Sequence, residues 1–411
     1  MIEGIPFRDD FLERYLCSHD ISSPPFLRRF FKIADGVFQP ESEEDVDRIL
    51  KFAEERKIPV VPRGAATSGY GGVIPVRGGL VVDFTRLDRF EIDEDKKILV
   101  SEPGAVWWDI EKKLNRKDLS LRVYPTSALS STVGGWIAQN GYGVGSLAFG
   151  SIAENVSKLR VADFGGITET EDIQFYAGLE GTTGLITKAW IRVKELEELK
   201  AYAFHVSPEK AVKLAYSSNH YSALFLDRDY IKMKNAVYDH QIPEKDTLVI
   251  VSRDRMKGDD SLGQEIWESR FHPMKIKRLG PGIVPAEVII PCENLSEYLR
   301  RLSKYSVGSE VWFVKGGKCS VLSFLPWDER RLSYAYQWRF SIRALKTAKK
   351  LGGKSYSSGL YLSRESRDIF ENYHELLRFK RETDPYNLMN PDKVFPSGII
   401  PRIMAVAEVF S

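Results

Sequence analysis

Two runs of glycine, serine and threonine hold the residue types best suited to chemistry in this sequence. The first is Pro62-Arg63-Gly64-Ala65-Ala66-Thr67-Ser68, continuing to Gly71 and Gly72. The second is Pro125-Thr126-Ser127, then Ser131-Thr132-Val133-Gly134-Gly135, then Asn140-Gly141-Tyr142-Gly143-Val144-Gly145-Ser146. Glycine lets the backbone take left-handed conformations and approach a ligand closely. Successive N–H groups in such a turn form a concave anion site, and hydroxyls add donors. Either loop alone reads equally well as a tight surface turn. Two with the same chemistry predict one phosphorylated ligand gripped from both sides. A third turn, Gly178-Leu179-Glu180-Gly181-Thr182-Thr183-Gly184-Leu185-Ile186-Thr187, has the same composition.

The elements that must position these loops can be read from periodicity and caps. Val37 to Pro40 predicts a short strand. Ser42 then caps a helix with Asp45 as its acidic third residue, and Val46, Ile49, Leu50 and Ala53 form the apolar face. Ile58 to Val61 predicts a buried strand feeding the first loop, which completes a βαβ unit. The loop runs on into another strand, Leu80 to Phe84. It is therefore not the G-x-G-x-x-G dinucleotide fingerprint, and no Gly-Lys-Ser/Thr makes it a P-loop. Further strands are predicted at 90–92, 98–101, 121–123, 156–162, 173–176 and 189–193, with a helix over 105–115. A charged run, Lys194 to Lys200, reads as a boundary. Beyond it two strand–helix repeats predict a sheet with helices on one face. A long helix is predicted from Glu329 to Leu351, ending at Gly352-Gly353. At the N-terminus Phe7, Phe11, Leu12, Tyr15 and Leu16 fall at helical spacing and predict a brace whose aromatics pack into the core.

Composition narrows the function classes. The 411 residues suffice for two or three domains, and 43% hydrophobic with 28% charged residues is ordinary for a globular protein. A net charge of +2 gives no reason to expect a nucleic-acid partner. Cys17, Cys292 and Cys319 are odd in number and far apart, so no disulfide framework or iron–sulfur motif is expected. The six histidines are scattered, so no metal site is expected. No stretch approaches the roughly 20 apolar residues of a membrane span, and the acidic N-terminal residues lead us to expect no secretory signal. The expectation is a cytoplasmic protein.

The order of motifs resembles a known family. Pro-Arg-Gly-x-x-Thr-Ser, Pro-Thr-Ser, Thr-Val-Gly-Gly, Glu180-Gly-x-x-Gly-Leu-Ile-Thr and the Asp384-Pro-x-x-x-Met-Asn-Pro tail are similar to the FAD-binding oxidoreductases of the PCMH (vanillyl-alcohol-oxidase) type, above all the D-lactate dehydrogenase and glycolate oxidase subunit branch. The resemblance is strong over about residues 35–195, moderate in the tail and weak between. It implies an α+β protein: a two-subdomain FAD-binding domain over 1–195 (about 1–90 and 91–195), an α+β cap with an antiparallel sheet over 196–385, and a tail, 386–411, that returns to the flavin domain. It further implies that Pro62, Arg63, Gly64, Ala65, Ala66, Thr67, Ser68 and Gly71 hold the diphosphate from one side. Pro125, Thr126, Ser127, Ser131, Thr132, Gly134 and Gly135 would hold it from the other. Asn140, Gly143, Gly145 and Ser146 would line the middle of the cofactor, Gly184 and Ile186 the adenine and ribitol side, and Asn390 the ring edge.

Departures from the family shape the expected chemistry. No histidine or cysteine lies between Arg63 and Gly79, so the FAD is expected to be noncovalent. The Gly-Glu-His-Gly run of the hydroxy-acid dehydrogenases is replaced by Gly352-Gly353-Lys354-Ser355-Tyr356-Ser357-Ser358-Gly359-Leu360-Tyr361. Tyr356 and Tyr361 become the candidates to orient a substrate hydroxyl or take its proton. Arg339 and Arg343, four apart on a helix, could pair a carboxylate. The competing bland readings are packing for the tyrosines and a solvated helix face for the arginines. Three functions follow: a dehydrogenase taking a hydride from a small hydroxylated substrate such as D-lactate or glycolate; an FAD-binding electron-transfer or scaffold subunit; or a binding module that keeps only the fold. Any iron–sulfur or electron-transfer flavoprotein relay would sit on a partner.

Overall fold

The computed structural model describes every residue except 1, 23–24, 29–30, 239–240, 400–401 and 403–411. The described chain divides into two units. The first holds residues up to Gly141, Ile152–Leu196 and the residues from Ser357 onward; the second holds Tyr142–Ser151 and Glu197–Tyr356.

The first unit contains two sheets. One is four-stranded, in the order Phe7–Arg8, Gly36–Phe38, Leu80–Asp83, Val60–Arg63. Its last three strands are parallel, with Val37 and Val61 both level with Val81. Helix Glu43–Arg56 makes the crossover that parallel pairing requires. Ser42 caps it by accepting from the Asp45 N–H, and Val46, Ile49, Leu50 and Ala53 are buried as the spacing predicts. The other sheet is antiparallel, in the order Phe90–Asp93, Ile98–Ser101, Leu185–Glu195, Val156–Asp163, Gly166–Thr170, with Leu119–Leu121 also on Leu185–Glu195. The tail after helix Tyr373–Thr383 joins the first sheet. The Val60 N–H donates to Leu388 and the Asn390 N–H to Val60.

The second unit is one seven-stranded antiparallel sheet, ordered Lys200–His205, Thr247–Ser252, Ser222–Leu226, Gly308–Val314, Lys318–Pro326, Ile283–Pro291, Lys354–Ser355. Pro208 opens helix Pro208–Ala215 at its first turn, where its missing N–H costs nothing.

Several expectations fail for physical reasons. Residues 173–176 are not a strand: Ile173–Phe175 is a 3-10 turn, and the strand lies earlier, at the polar run Gly166–Thr170. That strand, Gly-Ile-Thr-Glu-Thr, offers one apolar residue, Ile167, to the core, so it lacks the apolar alternation that marks a strand. The helix expected over 329–351 is two, Ser333–Gln337 and Arg339–Lys350. Phe7 is in a strand facing Phe38, while Phe11, Leu12 and Leu16 on helix Phe11–Cys17 are 67%, 63% and 55% exposed rather than core. Cys292 and Cys319 are joined by a disulfide, because the pairing of Ile290 with Cys319 places their Cα atoms 5.3 Å apart. Register, not sequence spacing, creates that bridge. No helix among the described residues is long and apolar enough to cross a membrane.

Candidate functional site

The two glycine loops meet within the first unit. Strand Val60–Arg63 ends in the first loop, where Ala66 (φ 52°) and Gly71 (φ 80°) take left-handed backbone. The second loop leads into helix Val133–Gln139, and Thr132 stands at its start without making a side-chain cap bond. Gly64 lies so close to Thr132 that a Cβ would collide with the Thr132 Oγ1. A further bond, Gln139 Nε2 to Ser68 Oγ, ties the loops together. Gly134 is pressed against Pro103 and donates its N–H to the Pro103 carbonyl at 2.8 Å.

The Ser131 Oγ and Thr132 Oγ1 are buried and have no protein partner. Buried hydroxyls are normally satisfied, because an unmade hydrogen bond costs about 1–3 kcal/mol. Two of them at the junction of glycine loops fit a diphosphate, whose oxygens would accept from both. Thr132→Ala is therefore expected to weaken FAD binding by roughly 0.5–1.5 kcal/mol, one hydrogen bond. Titration of the cofactor-free protein checks this, and an unchanged affinity would remove Thr132 from the site.

The remaining predicted residues fall in several places. Ser127 closes the Pro125-Thr126-Ser127 turn, its carbonyl accepting from Ser130 and Ser131 N–H groups. Asn140 takes left-handed backbone at φ 49° and its Oδ1 accepts from the Ala153 N–H. Gly143, Gly145 and Ser146 belong to the second unit. There the Gly143 N–H donates to Ser146 Oγ at 2.9 Å, and the Gly145 N–H to Ser222 Oγ at 3.3 Å. Gly184 lies against the Tyr176 ring, and Ile186 pairs with Val161 in the second sheet. Pro62 packs against Gly181. The Arg63 guanidinium turns away to the Cys17 and His19 carbonyls, at 3.3 and 2.9 Å, so it serves the loop's footing.

The catalytic candidates are divided between the units: Tyr356 and Arg339 in the second, Tyr361 in the first. The Tyr356 hydroxyl accepts the Tyr142 N–H at 2.9 Å, with the two rings edge to face at 6.1 Å. That bond commits its oxygen to backbone. Tyr361 is buried beside Gly71, and its N–H points to the Tyr70 carbonyl. Arg339 stacks on Tyr336 at 4.3 Å, and its Nε is buried without a partner. Arg343 Nη1 donates to the Tyr305 hydroxyl at 3.5 Å.

Sequence reasoning passed over a cluster around Glu180. Asn390 Nδ2 donates to the Gly72 carbonyl (2.9 Å) and to the Glu180 carbonyl (2.6 Å), while its Oδ1 is buried without a partner. Glu180 accepts from Ser357 and Gly359, and burial pushes its carboxyl up to about 7. Lys393 is fully buried, donates to the Ile74 carbonyl at 2.6 Å, and burial holds its ammonium down at about 7. The signal was present, since Glu180 is the one ionisable residue in the turn from Gly178 to Thr187. Among the described residues no group of three or more His, Cys, Asp or Glu is arranged to hold a metal.

Comparison with known proteins bears on the cofactor and the fold. Residues 34–170 match the FAD binding domain family. The chain is 25% identical over 408 residues to a protein named D-lactate dehydrogenase from Archaeoglobus fulgidus, covering 87% of this chain and 90% of that one. It is 30% identical over 207 residues to glycolate oxidase subunit GlcD of Bacillus subtilis, covering 47% and 43%. It is 31% identical over 201 residues to alkyldihydroxyacetonephosphate synthase of Trypanosoma brucei brucei, covering 45% and 32%. The last two matches thus span less than half of the relative's length. A solved structure of p-cresol methylhydroxylase with substrate bound shares the fold at a TM-score of 0.75 and 13% identity, covering 95% of this chain and 94% of that one. Residues 34–170 thus carry an FAD binding domain, and the chain as a whole shares its fold with p-cresol methylhydroxylase.

Proposed function

We propose that this protein is an FAD-dependent dehydrogenase that removes a hydride from a small hydroxylated substrate of the 2-hydroxy-acid type, D-lactate or glycolate among them, and hands the electrons to a separate partner. The observation that carries the reading is the meeting of Gly64 with Thr132, whose Oγ1, like the neighbouring Ser131 Oγ, is buried without a partner. FAD supplies the hydride acceptor. The chain's own part is to grip the diphosphate, keep water from the ring and hold the substrate. The proposed domains are the FAD-binding region 1–195 with the tail 386–411, and a substrate domain over 196–385. The FAD is proposed to be noncovalent, because the first loop carries no histidine or cysteine between Arg63 and Gly79 and the sole free cysteine among the described residues, Cys17, is buried. Acid precipitation should release the flavin, and colour that stays with the chain would overturn this point.

For substrate, the half-buried Arg339 guanidinium suits a carboxylate, since an unpaired donor of that kind is costly to leave unmade. Of the tyrosines, Tyr361 is taken as the candidate for the hydroxyl proton on its place beside Gly71 of the first loop. Tyr361→Phe should slow flavin reduction by about 10²-fold, the lower range for a general base, while FAD stays bound. A chelator should have no effect. Anaerobic mixing with hydroxy acids, polyols and aldonates, followed by flavin absorbance, tests substrate and variant together. A second reading, an electron-transfer subunit without turnover, is favoured by the lost Gly-Glu-His-Gly run and the committed Tyr356. It takes over if no substrate reduces the flavin while a partner protein does.

A further inference from the structure

Four segments far apart in sequence meet at one buried carboxyl in the first unit. Glu180 has left-handed backbone, φ 51°, which costs a non-glycine residue about 1–3 kcal/mol. Its Oε1 accepts from the Ser357 hydroxyl and from the Gly359 N–H, both at 2.9 Å. Its Oε2 fills the space where a Cβ on Gly72 would sit. Its carbonyl and that of Gly72 accept the two N–H bonds of the Asn390 amide. On the other side of the loop the Leu360 N–H donates to the Tyr70 carbonyl at 2.8 Å, and the Gly71 N–H donates to Asp20 Oδ2 at 2.7 Å.

A strained backbone carrying a buried acid persists only where its surroundings over-determine it. An apolar side chain would fill the same space without that cost. What the carboxyl adds is an acceptor for Ser357 and Gly359, the first residues of this unit after the second unit ends at Tyr356. Residues 357–361 in turn lie on Tyr70 and Gly71, the far end of the loop that begins at Gly64. That loop has no strand or helix of its own from 64 to 72, so its shape depends on such anchors.

We propose that Glu180 is a positioning residue for the FAD site, fastening segment 357–361 onto the end of the first glycine loop and so holding that loop in its cofactor-binding shape. This rests on the reading of the loop as an FAD-binding loop. The test is titration of cofactor-free protein with FAD, followed by flavin fluorescence. Glu180→Ala removes both carboxyl bonds and should weaken FAD binding about tenfold or more. Glu180→Gln keeps an oxygen for both donors and should stay within about threefold of wild type. Ser357→Ala loses one bond and should fall between, which keeps the test alive if Glu180→Ala does not fold. Wild-type affinity in Glu180→Ala, or in Ser357→Ala if only that variant folds, overturns the proposal, as does equal weakening by Gln and Ala. Wild-type protein that does not bind FAD removes the underlying reading instead.

Discussion

Gly64→Val should yield a folded protein that does not retain FAD. The position has no room: a Cβ alone collides with the Thr132 Oγ1, and valine adds two methyl groups beyond it. Turning the Thr132 side chain could relieve the Cβ alone, but the Thr132 backbone is held where it opens helix Val133–Gln139 and accepts the Trp107 indole at 3.2 Å, so the two further methyls still press on it. Relief would have to come from separating the two loops, which removes the cradle. We expect FAD affinity to fall by at least 10²-fold, on the scale of the 1–3 kcal/mol that overpacking costs and more where a binding surface is lost. Circular dichroism should show an unchanged fold, and titration reads the affinity. Full flavin occupancy in Gly64→Val would show that the loop is only a turn.

Glu180→Gln should change how stability depends on pH. Burial raises the Glu180 carboxyl from its ordinary 4.5 to about 7. The folded protein therefore binds a proton there that the unfolded chain has released. The sign follows: the contribution is complete below 4.5 and is lost as pH rises through about 7. A shift of that size corresponds to about 3 kcal/mol. Lys393, held down at about 7, acts in the opposite sense, its contribution being present above 10.5 and lost as pH falls through about 7. Asp20 and Lys393 both act on Glu180, so the comparison is made on the difference between the two proteins. Urea unfolding of the cofactor-free forms should show Glu180→Gln gaining about 3 kcal/mol on wild type between pH 4.5 and 7.5. A difference that does not vary with pH would mean that Glu180 does not carry the proton.

Both predictions draw on residues that differ in how visible they were in sequence. Gly64, Ser131 and Thr132 stood out in the sequence as a candidate anion site because glycine and hydroxyl chemistry acts through the backbone nearby. Glu180 was visible as a motif letter but not as a site residue. Its partners Ser357 and Gly359 are 177 and 179 residues away. Tyr356 and Tyr361 look like members of one turn, yet the first bonds to Tyr142 and the second packs beside Gly71.

By itself the sequence determined what local physics controls. The Ser42 cap, the buried face of Glu43–Arg56, the proline at the start of Pro208–Ala215 and the glycine turns each depend on residues within about one helical turn. Glycine and hydroxyl chemistry likewise predicted a phosphorylated ligand, and the family resemblance carried by the ordered motifs implied that this ligand is FAD. Only the tertiary structure decided which distant groups share a space. Strand register made the Cys292–Cys319 disulfide from cysteines expected to be separate. Incomplete coverage left Phe11, Leu12 and Leu16 in solvent although their spacing was helical. Packing of the chain's return at Ser357 set Glu180 beneath the first loop. Periodicity records that a side chain is apolar or charged, but burial, pairing and pKa depend on what the rest of the fold brings against it.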